Sequence, residues 1–79
     1  MIETTLLNEL DKLGIEVTLP DDLDSNLFEL GLDSLSLVKL ILSLEKQFSL
    51  SLVQKNFSKE PFSTFNKIRE HILSKQEAA

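Results

Sequence analysis

Apolar residues in this chain recur every three or four positions, the spacing of an amphipathic helix and not the alternation of a half-buried strand. Ile2, Leu6, Leu7, Leu10 and Leu13 keep that spacing with polar residues between them, which predicts a helix over residues 2–13. Gly14 follows as a C-terminal stop, since glycine accepts the left-handed backbone that ends many helices. A second helix is predicted from about Ser34 to Phe48. Leu35, Val38, Ile41 and Leu42 are read as its inner side, with Leu37, Leu40, Leu44 and Phe48 widening the apolar surface. Ser36, Lys39, Ser43, Lys46 and Gln47 form its polar stripe. Phe65, Ile68, Ile72 and Leu73 mark the apolar face of a last helix, for which Ser63 or Thr64 is a suitable cap.

The segments between these helices differ in kind. Residues 15–33 are turn-rich, with Pro20-Asp21-Asp22 and Asp24-Ser25-Asn26, yet they carry Leu19, Leu23, Leu27, Phe28 and Leu30. A connection this long with its own apolar anchors is expected to pack onto the helices, with a short helical turn near residues 27–30. Residues 49–57 alternate weakly but have no partner strand, so a loop is expected there. Residues 56–60 suggest a short third helix stopped by Pro61, and residues 75–79 a frayed tail. Leucine dominates the apolar residues and Phe is the sole aromatic, which also favours helix over strand. The expected fold is all-α: a small four-helix bundle of three main helices and one short helix, with a long first loop. With 79 residues it is expected to be one domain, 1–79, of modest stability and without a deep catalytic cleft.

Charge narrows the partners. Residues 1–33 hold nine acids against Lys12 (−8), and residues 34–79 hold four acids against seven bases (+3), giving the net −5. An acidic half argues against nucleic-acid binding and suits a basic protein surface, or simply keeps a small domain solvated. Cysteine is absent, which excludes disulfides, thiolate chemistry and cysteine-based metal sites. No stretch approaches the roughly 20 apolar residues of a membrane span, and the first residues lack the pattern of a secretory signal. A cytoplasmic monomer is the expectation.

The informative segment is Leu30-Gly31-Leu32-Asp33-Ser34-Leu35-Ser36-Leu37-Val38. It puts a serine where a loop turns into a helix, with Leu32 and Leu35 read as pointing inward. Asp33 or Ser34 suits the N-cap, and Gly31 permits a tight bend and close approach by a partner. A helix N-terminus offers backbone N–H groups and a positive dipole end, which suit a phosphate ester. Taken alone, a serine in this position reads as a helix cap.

In context, LGLDSL resembles the phosphopantetheine attachment site of acyl and peptidyl carrier proteins. The likeness extends along the chain: the first amphipathic helix, the long connection, the serine opening LVKLILSLEKQF, and the later NFSKEPFSTFNKI fall in the same order. The resemblance implies a bundle of the acyl-carrier type. It also implies a 4'-phosphopantetheine arm, moved from coenzyme A onto Ser34 by a phosphopantetheinyl transferase, whose thiol holds cargo as a thioester. The chain itself would catalyse nothing. A loading ligase, adenylating enzyme or acyltransferase would charge it, and downstream synthase or tailoring enzymes would receive the cargo. Asp33 would assist the transferase, and Leu35, Ser36, Val38 and Lys39 would form the recognition surface. Carriers of fatty-acid synthesis usually place acids just after this serine. Here Ser36 and Lys39 make the stripe neutral to basic, which points to a specialised polyketide, nonribosomal peptide or aminoacyl system.

Other readings find less support. The single histidine, His71, lies on the last helix, far in sequence from Ser34, and no nucleophile elbow is present. The Asp21-Asp22-Leu23-Asp24 run lacks the ligand spacing of a calcium loop, and no metal site is expected. An unmodified helical interaction module of the same shape is the alternative to a covalent carrier.

Overall fold

The helix predicted at the start of the chain forms as α1 (Ile2–Lys12), with Glu3 in its first turn and Lys12 in its last, the charge signs that favour each end of the helix dipole. The structure, a computed structural model, describes residues 2–52 and 59–78. Gly14 closes α1 at φ +79°, a backbone conformation that side-chain-bearing residues rarely adopt. α2 spans Ser34–Phe48 and ends at Ser49 in the left-handed region, where the Ser49 N–H returns to the Glu45 carbonyl. α3 spans Phe65–Ala78, reaching into the stretch read from the sequence as a tail. Of its two candidate caps, Thr64 serves: its Oγ1 accepts from the Lys67 N–H at 3.0 Å.

A single 3₁₀ turn, Glu60–Phe62, precedes α3. Pro61 lies inside that turn instead of ending a helix before it; near the start of a turn its missing N–H is no loss. The short helix expected over residues 56–60 falls mostly outside the described residues. Among the described residues there are three α-helices, this 3₁₀ turn and no strand.

α1 packs against both α2 and α3, and the 3₁₀ turn packs against α3. The core brings together Leu6 and Leu10 of α1, Leu37, Leu40, Ile41 and Leu44 of α2, and Phe65, Ile68 and Ile72 of α3. Here the register expected for α2 is corrected. Leu35, Val38 and Leu42 face outward at 66%, 49% and 61% exposure, while Leu37, Leu40, Ile41 and Leu44 are buried. Both sets have helical spacing, so the local pattern is satisfied by either; packing against α1 and into the shared core selects the second. Leu73, expected on the apolar face of α3, is also exposed.

The long first connection is packed down, as its apolar anchors suggest. Ile15, Leu27 and Leu32 are buried. The Leu27 N–H donates to the Ser63 carbonyl at 2.8 Å, and the Asn66 N–H to the Leu23 carbonyl at 3.0 Å, tying the connection to the start of α3. The acidic run is structural, since Asp22 accepts from the Thr18 N–H and the Ser25 hydroxyl, each at 2.9 Å. These bonds lower its pKa, the Thr18 amide most. Past α2, the Glu45 carboxylate accepts from the Leu52 N–H at 2.7 Å. His71 is partly buried, as its neighbours in sequence suggest; its Nε2 lies 3.1 Å from the Leu52 carbonyl and its ring stands edge-on to Phe62.

A buried carboxylate joins α1 to α2. Glu9, on the apolar side of α1, accepts from the Ser43 hydroxyl, from Gln47 Nε2 at 2.7 Å and from Lys12 Nζ at 3.1 Å. Its pKa is lowered, chiefly by the Ser43 hydroxyl, although burial opposes the shift. A carboxylate depressed in the folded state stabilises the fold above its unfolded pKa, and that contribution disappears as pH falls through the folded value. Glu9→Gln is therefore expected to cost about 1–3 kcal/mol near neutral pH, the scale of hydrogen bonds to a charged group. The difference between wild type and Glu9→Gln should shrink on acidification below about pH 5. Urea unfolding of both proteins across that range reads the difference directly, because Asp22 and Asp33 titrate alike in each. A gap independent of pH would show that the Glu9 charge contributes nothing.

Candidate functional site

The site is built where the first connection turns into α2. Asn26 opens a single turn over residues 27–30: its Oδ1 accepts from the Phe28 N–H at 2.9 Å, and its carbonyl from the Glu29 N–H at 3.0 Å. The Leu27 carbonyl then receives the N–H groups of Leu30 and Leu32, both at 3.0 Å. Leu27 and Leu32 are buried on either side of the bend, so the segment leading to α2 is held at two points. Between them Gly31 adopts φ +120°. Space is not what requires glycine there, since an added Cβ would come no nearer than 4.0 Å to Ile15 Cγ1; the backbone angle is.

Asp33 is the N-cap of α2, resolving the choice between it and Ser34. Its backbone is extended, and its Oδ1 accepts from the Ser36 N–H at 2.8 Å. These bonds hold the Asp33 carboxyl below the usual aspartate range, with the Ser36 amide the largest cause, followed by the Ser36 side chain. Asp33 is thus an ionised cap, exposed to solvent on its outer side. Ser36, half-buried at the first turn of the helix, is committed to it through both backbone and side chain.

Ser34 is the first residue of α2 and is exposed. Because Asp33 does the capping, the Ser34 hydroxyl is left free of it. Lys59 Nζ donates to that hydroxyl at 3.3 Å, and the same ammonium lies 5.8 Å from the centroid of the Phe28 ring. Leu35, Val38 and Leu42 extend from Ser34 along the outer side of α2, where they are exposed. Lys39 lies between Val38 and Leu42 in the helix and acts on Asp33 through space. Leu35, expected to point inward, belongs to the outside instead. Ser34, Asp33, Leu35 and Val38, all singled out from the sequence, therefore share one solvent-facing region.

Lys59 and Phe28 were not read from the sequence as residues of the site. They meet Ser34 only through the fold, from positions 25 residues after and six before it, and no local pattern marks them. The region holds an accessible hydroxyl, a fixed carboxylate and the Lys59 ammonium beside the hydroxyl. Among the described residues no cluster of three metal-ligating side chains occurs, and His71 is turned to the Leu52 carbonyl. Such a hydroxyl can be esterified by an enzyme that brings its own base and electrophile. An accessible Oγ at a helix start beside an ammonium fits attachment of a phosphorylated group.

Residues 5–72 match the family model described as a phosphopantetheine attachment site. The chain is 36% identical over 78 residues to a D-alanyl carrier protein of Streptococcus uberis, covering 98% of both chains. It is 35% identical to one of Streptococcus suis, covering 85% of both. One of Lactococcus lactis is 40% identical over 58 residues, covering 72% of this chain and 73% of its own.

Proposed function

We propose, because this chain belongs to the phosphopantetheine attachment-site family of carrier proteins, that Ser34 bears its arm and that a D-alanyl group is its cargo. The observation that carries the attachment reading is the position of Ser34: an exposed hydroxyl opening α2, relieved of capping by Asp33. When bound, the group supplies a thiol that holds cargo as a thioester, which a chain without cysteine has no other means to do. The residues of this chain act around that attachment. Asp33 fixes the start of α2 and presents an ionised carboxylate to the transferase. Leu35, Val38 and Leu42 offer an apolar face, with Lys39 beside it, to the enzymes that load and unload the cargo. The chain is read as non-catalytic throughout. Because modification draws on coenzyme A, the reading keeps the cytoplasmic placement.

The cargo rests on the names of the relatives, and it revises the pathway expected from the sequence. Polyketide and nonribosomal peptide systems give way to the aminoacyl branch of that expectation. The neutral-to-basic stripe of α2 is consistent with this revision, since it departs from fatty-acid carriers at Ser36 and Lys39. An open depression of about 270 Å³ between α1 and the first connection is lined by Leu7, Asn8, Asp11, Ile15, Glu16 and Val17. None of these residues belongs to the site.

The test has two stages. Incubation with coenzyme A and a broad-specificity transferase is expected to add one arm by intact mass. Addition of ATP and a D-alanine-activating ligase should then load D-alanine, with little loading of L-alanine or of a fatty acid by its own ligase. Comparable loading by the fatty-acid ligase would reject the cargo and leave the carrier. Failure to gain an arm would favour an unmodified interaction module.

A further inference from the structure

We propose that Lys59 is the phosphate-binding residue of this carrier, its ammonium pairing with the phosphodiester through which the arm joins Ser34. The inference rests on the attachment reading above. It starts from one contact: Lys59 Nζ reaches Ser34 Oγ at 3.3 Å across 25 residues of sequence. Once Ser34 is esterified, that oxygen bridges to phosphorus, and the charged non-bridging oxygens lie one bond further out. An ammonium already at the bridging atom is within reach of them. The face of the Phe28 ring, 5.8 Å from Nζ, attracts the same cation and holds it over the site.

Charge balance explains why a lysine is wanted here. A helix N-terminus ordinarily supplies the N–H donors that bind a phosphate. In this chain Asp33 occupies part of that end: its carboxylate accepts from the Ser36 amide at 2.8 Å, and the Leu35 amide also helps lower its pKa. A phosphodiester on Ser34 therefore sits beside an ionised carboxylate of the same sign. Among the described residues, Lys39 and Lys59 can offset that repulsion. Lys39 acts on Asp33 through space, from further along α2. Lys59 is the one hydrogen-bonded to the oxygen that carries the phosphate, and it comes from the segment leading into the 3₁₀ turn. A phosphate held there uses no side chain of the exposed Leu35, Val38 and Leu42 face, so anchoring the arm and docking a partner do not compete.

The experiment compares the unmodified and arm-bearing proteins. Trace acetylation with acetic anhydride, read lysine by lysine by mass spectrometry, reports how available each ammonium is. Lys59 is expected to react about two- to fivefold more slowly once the arm is attached, the range an exposed ion pair of ordinary strength gives. Lys39 and Lys75 should keep their rates, and the protection of Lys59 should fade at about 1 M salt as screening shortens the reach of exposed charges. The phosphodiester ³¹P resonance of Lys59→Gln should differ from wild type, and Lys59→Arg should restore it. Equal Lys59 rates in a protein that demonstrably bears the arm, slowing at Lys39 instead, or an unmoved ³¹P resonance in Lys59→Gln would overturn the clamp and leave the attachment reading standing. Absence of the arm from Ser34 in the peptide map would overturn both.

Discussion

Ser34→Ala should take up no phosphopantetheine at all, while the wild-type chain takes up one arm under the same conditions. The expectation is of complete loss because, among the described residues, the other hydroxyls closest to the site are already engaged. Ser36 is bound to Asp33, and Ser43 donates to Glu9 in the contact between α1 and α2. Further away, Ser25 donates to Asp22, Ser63 to the Glu60 carbonyl, and Thr64 caps α3. The fold should survive the substitution. Asp33 caps α2, and an exposed serine replaced by alanine, a better helix former, changes stability by about 0.5 kcal/mol or less. Circular dichroism together with intact mass separates loss of the attachment atom from loss of the fold. Peptide mapping then decides the site: an arm on Ser36, or any arm on folded Ser34→Ala protein, would reject the assignment.

Phe65→Ala should remove most of the stability of this domain. Phe65 is fully buried at the start of α3, where it joins the core with Leu6, Leu10 and Ile68. Truncating a buried phenylalanine costs about 3–5 kcal/mol, and a leucine or isoleucine about 2–5 kcal/mol. A domain of this size has only about 5–15 kcal/mol in total, and small ones lie toward the lower end. Leu10→Ala and Ile68→Ala should follow at the smaller figure. Leu42→Ala is the informative control. Its side chain is 61% exposed, so unfolding in urea should shift by about 0.5 kcal/mol or less, whereas transfer of cargo to a partner should weaken. If Leu42→Ala destabilised as much as Ile68→Ala, the register of α2 described above would be wrong.

Much of the fold is legible in the residues. The spacing of Leu6, Leu10 and Leu13 gives α1, Gly14 ends it within two residues of the observed boundary, and the threonine before Phe65 opens α3. The buried leucines of the first connection announce that it packs down. Ser34 is legible as a candidate too, because LGLDSL puts a glycine at the bend and an acid and a serine at the helix start, with the sequence leaving open which of the two caps. The face of α2 is not. That helix carries two helix-spaced apolar stripes, Leu37–Leu40–Ile41–Leu44 and Leu35–Val38–Leu42, and helical period alone cannot say which is covered. The first is the longer, continuing to the partly buried Phe48, and its length is the one local sign of which stripe packs inward.

The helices, the bend at Gly31 and a polar cap at Asp33 or Ser34 follow from the order of residues alone, because each depends on neighbours within about one helical turn. Backbone angle, capping and side-chain period are short-range properties, and a chain states them locally. Three features required the assembled fold: which face of α2 meets α1 and the shared core, the pairing of Glu9 with Ser43 and Gln47 across two helices, and the reach of Lys59 to Ser34 over the ring of Phe28. The polar contacts among these join residues 25 to 38 positions apart. Their free energies arise from burying apolar area and from matching charge to hydrogen-bond donors, both of which depend on what the rest of the chain brings alongside.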